Sequence, residues 1–185
     1  MIDDATTWNE LAALLPEAES ADVRDCWAIG EQEAGLDLLV SGLLAHRVPI
    51  GEAVRARISV IAEAWGEREQ LTPRLLRCHG DGAPADLRLL DDGTDPDDGS
   101  ADLVLVPWIA CTRCGRVLQR AYGRESWGGL GALPHHYAIT SPDGATAPRT
   151  FPDDAVTTAF AGLLAECVGL PGPADGPSGS VPSHG

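Results

Sequence analysis

The sequence predicts an α+β fold: an N-terminal three-helix unit, then a small antiparallel sheet and a C-terminal helix. Through residues 1–70, apolar residues recur at helical spacing. After residue 71, the apolar runs become short and are bounded by Gly, Asp and Pro, which is typical of strands. We therefore divide the chain into an acidic helical unit at 1–70, a sheet with a closing helix at 71–170, and a disordered tail at 171–185.

Three helices are expected in the first unit. The first begins with Thr6 or Thr7 as its N-cap, and Glu10, three residues after Thr7, fits a capping box. The second covers residues 21–46 and contains Gly30 and Gly35, which weaken a helix and mark a kink or a close contact. The third covers residues 52–65, after a break at a Val-Pro-Ile-Gly sequence.

The second unit is expected to contain short strands. The candidate runs are residues 73–78, 86–90, 102–111, 135–140 and 145–151. The acidic segment 91–102 is expected to form a solvated loop, because it lacks the register of a calcium-binding EF-hand loop. Helical periodicity returns at residues 153–170, which predicts the final helix.

The chain is strongly acidic, with a formal charge of −15 over 185 residues, and all of its cations are arginines. Such a field attracts basic partners and repels nucleic acid and anionic membranes. The alternative is that the acidity serves only solubility. The sequence also lacks a basic and apolar leader and an apolar run of about 18 residues, so we expect a cytoplasmic protein without membrane contact.

Residues 20–68 contain two helical segments joined by a short break, with the positions Gly30-Glu31, Leu38-Leu39, Leu43-Leu44, Val48-Pro49-Ile50 and 62–65. These positions resemble the pattern of the Maf-type bacterial immunity proteins. The resemblance implies a non-enzymatic protein that binds and neutralises a cognate toxin, often a nuclease. No nucleophile, phosphate loop or carboxylate pair stands at a recognisable catalytic spacing, so the sequence also predicts that the protein is not an enzyme.

Four carboxylates are our candidates for contact with a basic toxin. Glu33 and Asp37 are four residues apart and share one helix face. Asp22 and Asp25 lie close to the same side if the helix over 21–46 is continuous. The alternative is that all four belong to a solvated face with no partner.

A Cys-x-x-Cys-Gly sequence at Cys111 and Cys114 predicts half of a zinc site, since two thiolates in a tight turn can grip Zn²⁺. Cys78 and His79 are the candidates for the remaining ligands. Five cysteines without an export signal favour reduced thiols or a metal over disulfides. The alternatives are buried reduced cysteines and a redox pair, and Cys167 is expected to be a core residue.

Four arginines beside this motif suggest a second function, a zinc-containing nucleic-acid-binding or regulatory module. They are Arg113, Arg116, Arg120 and Arg124. If the segment after Cys114 is helical, the last three share one face. We prefer pairing of these arginines with acidic groups of the same chain, because the surrounding charge is negative.

Overall fold

The computed structural model describes residues 4–90, 103–126, 129–144 and 146–168. The α+β class is confirmed, with N-terminal helices, a five-stranded antiparallel sheet and a C-terminal helix. The helices are α1 (Ala5–Ala12), α2 (Glu17–Ile29), α3 (Gln32–Ala45), α4 (Glu52–Ala64), α5 (Arg68–Leu75) and α6 (Val156–Val168). The strands are β1 (Leu87–Leu89), β2 (Leu103–Cys111), β3 (Val117–Gly123), β4 (His136–Thr140) and β5 (Arg149–Pro152). The acidic segment 91–102 and the tail 171–185 lie outside the described residues.

Helix α1 is capped by Asp4 and not by Thr7. The Asp4 carboxylate accepts a hydrogen bond of 2.8 Å from the backbone N–H of Thr7, which satisfies a donor that the first helical turn leaves open. The predicted capping box was therefore wrong. Glu10, its other member, forms a 2.8 Å ion pair with Arg57 of α4 instead.

The predicted second helix is in fact a hairpin of two helices. Helix α2 ends at Gly30, whose φ of +87° lies in the left-handed region that glycine adopts without steric cost. The N–H of Glu31 then bonds to the carbonyl of Cys26 at 2.8 Å and closes the turn. Gly35 permits the close packing of α3, since a Cβ there would lie 3.0 Å from the Trp8 ring. The prediction of a continuous helix over 21–46 was wrong.

Helix α5 replaces the strand that was expected at residues 73–78. Leu71 and Leu75 are four residues apart and both are buried, which is the spacing of a helix face. The strand prediction failed because the segment considered began at Pro73, so it contained Leu75 but not Leu71. Residues 4–90 therefore contain five helices and not three, and the expected domain boundary after residue 70 falls inside α5.

The sheet is antiparallel throughout, in the order β1-β2-β3-β4-β5. Leu118 of β3 lies between Ile109 of β2 and Ile139 of β4. A bulge in β2 between Pro107 and Ile109 allows the successive residues Trp108 and Ile109 both to be buried. The segment after Cys114, considered above as a possible helix, forms β3.

The helices and the sheet share the largest hydrophobic cluster. It contains Leu39 of α3, Ile58 of α4 and Leu118 of β3. At its centre, the indole N–H of Trp108 donates a 3.0 Å hydrogen bond to the hydroxyl of Ser59 on α4. Helix α6 packs on β3, β4 and β5, which brings its C-terminal end to the turn between β2 and β3. Among the described helices, none combines the length and apolar content that crossing a bilayer requires.

Candidate functional site

The turn between β2 and β3 holds two cysteines in a compact loop. Cys111 ends β2, and its N–H bonds to the carbonyl of Arg116 at 2.8 Å. The N–H of Gly115 bonds back to the carbonyl of Cys111 at 2.9 Å. Gly115 has a φ of +70°, which suits glycine and directs the chain back along β3. The loop therefore points two sulfur atoms to the same side, as the Cys-x-x-Cys-Gly sequence predicted.

The third member of the cluster is Cys167 of α6. The Sγ atoms of Cys111, Cys114 and Cys167 all lie within 4.8 Å of one another, and those of Cys114 and Cys167 are 3.2 Å apart. Cys111 and Cys167 are buried, whereas Cys114 is partly exposed. No local pattern marked Cys167 as a ligand beyond its place on an apolar helix face, since only the packing of α6 on the sheet brings it here. Three close thiols of this kind can hold a metal ion.

Cys114 and Cys167 differ in acidity. Burial alone would raise the pKa of Cys114, but the backbone hydrogen bond from Arg116 and the side-chain contacts of Cys167 and Cys111 outweigh burial and lower it. Burial raises the pKa of Cys167, and its hydrogen bonds to Cys111 and Cys114 raise it further. The hydrogen bonds of the cluster therefore favour loss of a proton from Cys114 over loss from Cys167.

Cys78 and His79 are not part of this cluster, which corrects the ligand set expected from the sequence. Cys78 is buried at the end of α5, where its thiol donates a 3.7 Å hydrogen bond to the carbonyl of Arg74. The Nε2 atom of His79 accepts a 2.8 Å hydrogen bond from the Arg47 guanidinium. The prediction placed both residues at the end of a strand, and the helix that forms instead carries them elsewhere.

The four carboxylates proposed for partner contact are all exposed on the α2–α3 hairpin. Asp22 and Asp25 lie on α2, and Glu33 and Asp37 lie on α3. Asp37 forms an ion pair with Arg74 of α5. Within the described part of the chain, Asp22, Asp25 and Glu33 form no ion pair. The sequence analysis placed Asp22 and Asp25 beside Glu33 and Asp37 on the assumption of a continuous helix over 21–46, and that helix prediction was wrong.

A groove of about 250 Å³ separates α2 from α3 on this surface. It is lined by Glu19, Asp22, Leu38, Ser41, Gly42 and Ala45. Leu38 is 41% exposed, although it shares the groove with the charged residues Glu19 and Asp22. We call Asp22, Asp25, Glu33 and Leu38 the acidic hairpin face. Within the groove, Leu38 is accompanied by the carboxylates of Glu19 and Asp22.

The negative charge of this face acts on a neighbouring thiol. Burial raises the pKa of Cys26, and the charges of Glu31, Asp22 and Asp25 raise it further. Asp22 and Asp25 of the acidic hairpin face are thus both close enough to Cys26 to act on its thiol. A cation placed on this face would meet the combined field of several carboxylates.

The arginines beside the cysteine motif pair with acidic groups of the same chain. Arg113 lies 3.5 Å from Asp86, and Arg116 lies 3.1 Å from Glu166. Arg120 is buried and donates a 2.7 Å hydrogen bond to the hydroxyl of Tyr122. The preference for intramolecular pairing is confirmed for these three arginines, which removes the main support for a nucleic-acid surface.

A second polar cluster lies under a cavity of about 390 Å³ between α4, α5 and the sheet. Its centre is Glu63, whose side chain is 8% exposed and lies 2.8 Å from the Nε atom of Arg68. The hydroxyl of Tyr137 donates to Glu63 at 3.1 Å, and Arg120 lies 3.8 Å away. Burial raises the pKa of Tyr137, so its hydroxyl stays protonated at neutral pH. This cluster joins the helices to the sheet.

Comparisons with protein-family models, with curated proteins and with solved structures found no match. The resemblance of residues 20–68 to the Maf-type immunity proteins therefore stays a prediction.

Proposed function

We propose that this protein is a non-enzymatic, immunity-type protein that binds and blocks a basic toxin through the acidic hairpin face. The observation that carries the proposal is the placing of Asp22 and Leu38 in one groove. Asp22 has no ion pair within the described residues, and Leu38 keeps two fifths of its side chain in solvent. A basic partner that covers such a surface would bury the apolar side chain and pair its own positive charge with the carboxylate.

The charge of the whole chain supports the same partner class. A formal charge of −15 creates a field that accelerates association with a basic protein and weakens as salt is added. A nuclease is a suitable toxin, because its active-site cleft must be basic to hold phosphate. A protein that occupies such a cleft excludes the nucleic acid without performing any chemistry.

The shape of the groove fits a Lys or Arg side chain of the partner. Such a side chain has an apolar stem and a charged end. The stem would lie along Leu38 and Gly42, while the charged end would meet the carboxylate of Asp22. This arrangement buries apolar surface and pairs a charge in the same contact.

The test is capture of the partner with matched charge variants. The tagged chain, an Asp22→Lys/Glu33→Lys variant and an Asp153→Lys/Asp154→Lys control are incubated with lysate of the native cell at low salt. Both variants raise the formal charge from −15 to −11, so they differ in position and not in net charge. Asp153 and Asp154 are exposed and lie before α6, away from the hairpin.

The proposal predicts a basic protein that the wild type and the control retain at equal stoichiometry, and that the hairpin variant loses. Retention of the same protein by all three chains contradicts the role of the acidic hairpin face. Circular dichroism of each variant establishes that the fold is intact before the comparison is made.

We further propose that Cys111, Cys114 and Cys167 hold Zn²⁺ as a structural ion. Zinc bonded to sulfur at about 2.3 Å in a tetrahedral site places sulfur atoms about 3.8 Å apart. The three Sγ atoms lie within 4.8 Å of one another, so small side-chain rotations bring them to this spacing. The bound ion would supply a fixed crosslink between α6 and the β2–β3 turn.

Zinc content measured by mass spectrometry of the purified protein tests this second proposal. We expect about one zinc per chain in the wild type and in a Cys78→Ser control, because Cys78 lies outside the cluster. The ion should be lost from Cys114→Ser and from Cys167→Ser. Equal zinc content in all four proteins contradicts the assignment of the ligands.

A further inference from the structure

Two sulfur atoms of the cluster are in direct contact. The Sγ atoms of Cys114 and Cys167 lie 3.2 Å apart, and the side chains come from different elements, the β2–β3 turn and α6. Cys114 is partly exposed, whereas Cys111 and Cys167 are buried. An oxidant that reaches the cluster from solvent therefore meets Cys114 first.

We propose that Cys114 and Cys167 are a modification site, at which a peroxide converts the two thiols to a disulfide. The disulfide uses two of the three sulfurs that the proposed function assigns to zinc, so the two states exclude each other. The inference depends on the cysteine cluster and not on the presence of zinc.

The chemistry balances with hydrogen peroxide as the oxidant. The Cys114 sulfur attacks one peroxide oxygen, so that an S–O bond forms, the O–O bond breaks and one water leaves, giving a sulfenic acid. The Cys167 sulfur then attacks the Cys114 sulfur, so that the S–S bond forms, the S–O bond breaks and a second water leaves. The two thiol protons end in the two waters. The sulfurs are oxidised and the peroxide is reduced.

The other cysteines are less suited to this reaction. Cys78 is buried, and its thiol contacts the carbonyl of Arg74. Cys26 lies on α2 and is not part of the cluster. Cys111 belongs to the cluster but is 1% exposed, which shields it from an oxidant in solvent. The pairing of Cys114 with Cys167 is therefore the specific prediction.

The sequence allows a direct readout, because trypsin cleaves after arginine and places every cysteine on its own peptide. The relevant peptides are residues 89–113, 114–116 and 150–185. The full chain is freed of metal by a chelator, treated with about one equivalent of hydrogen peroxide, alkylated and digested without reduction. Mass spectrometry should find peptide 114–116 linked to peptide 150–185, and dithiothreitol should separate them.

Three variants make the outcome decisive. Cys78→Ser and Cys111→Ser should keep the link, and Cys167→Ser should lose it. A link between the peptides of Cys111 and Cys114, or no link in the folded wild type, overturns the proposal. The same treatment of zinc-loaded protein should release the ion to a chromogenic chelator as the link forms. If the link forms in a protein that binds no zinc, the modification site stands and the zinc proposal fails.

Discussion

The Sγ atoms of Cys114 and Cys167 lie 3.2 Å apart, although the two cysteines are 53 positions apart in the chain. Helix α6 holds Cys167 in place because it packs on β3, β4 and β5. The ion pair of 3.1 Å between Arg116 and Glu166 joins the same two elements. The end of the C-terminal helix is therefore tied to the sheet next to the cysteine cluster.

Cys114 should be the most reactive thiol of the metal-free protein. The pKa of Cys114 is lowered by the hydrogen bonds of the turn despite its burial, whereas burial and nearby carboxylates raise the pKa of Cys26. Both residues are partly exposed, so access does not explain the difference between them. Alkylation by iodoacetamide near neutral pH, followed by tryptic mapping, should label Cys114 before Cys26. Faster labelling of Cys26 would contradict the lowering of the Cys114 pKa by the hydrogen bonds of the turn.

Substitution of Gly115 should destabilise the turn more than substitution of Gly144. Both residues have φ in the left-handed region, which costs an alanine about 1–2 kcal/mol. A Cβ at Gly115 would also lie 3.1 Å from Pro142, whereas a Cβ at Gly144 meets nothing within 4 Å. Urea unfolding should therefore rank Gly115→Ala below Gly144→Ala in stability. Equal losses would show that the contact with Pro142 relaxes freely.

Removal of the Glu63 carboxylate should be among the most costly single changes. Glu63 is 8% exposed and lies next to the buried Arg68 and Arg120, so Glu63→Ala removes a buried carboxylate from beside two buried positive charges. We expect a loss of about 3–5 kcal/mol in the free energy of unfolding. Glu69 is 75% exposed and also approaches Arg68, so Glu69→Ala serves as the control, with a loss of under about 1 kcal/mol.

The metal-free protein should lose stability in alkaline solution. Burial raises the pKa of Cys26, Cys78 and Cys167 above the ordinary value of 9.0, so the unfolded chain releases these protons at lower pH than the folded chain. The unfolded state then binds fewer protons, and the free energy of unfolding falls as pH rises above 9. Cys114 contributes in the opposite direction, because its folded pKa is lowered.

Chemical unfolding at pH 8 and at pH 10.5, with chelator present, measures this effect. The raised pKa of Tyr137 and that of Tyr122 extend the loss beyond pH 10, since burial acts on both phenols. A Cys78→Ser variant should show a shallower decline than the wild type, because one of the thiols with a raised pKa is absent. A free energy of unfolding that rises over this range contradicts the described burial of the cysteines.

The fold class was accessible from the sequence because it depends on local pattern. The short apolar runs of β2 and β4 and the periodicity of α6 are properties of short windows, and each of these elements was predicted. The errors came from single residues whose effect depends on context. Gly30 ends a helix here by adopting a left-handed conformation, and Pro73 lies inside a helix, so neither could be read from type alone.

The candidate metal site also combines residues that a local pattern predicts with a residue that depends on the tertiary packing. Cys111 and Cys114 were found because two residues separate them and a glycine follows. Cys167 was missed as a cluster member because its place depends on how α6 packs, which no local pattern contains. Cys78 was wrongly included because a strand was expected where α5 forms. Long-range neighbours of a local motif are the part that sequence reasoning could not supply.

The affinity of the purified complex with the basic toxin shows whether the acidic hairpin face is the binding surface. The dissociation constant is measured at about 0.05 M and 0.5 M salt for the wild type, for Asp22→Lys/Glu33→Lys and for the control Asp153→Lys/Asp154→Lys. We predict that the hairpin variant binds at least about tenfold more weakly than the control and depends less on salt. Equal dissociation constants for the hairpin variant and the control would show that the toxin does not bind at the acidic hairpin face.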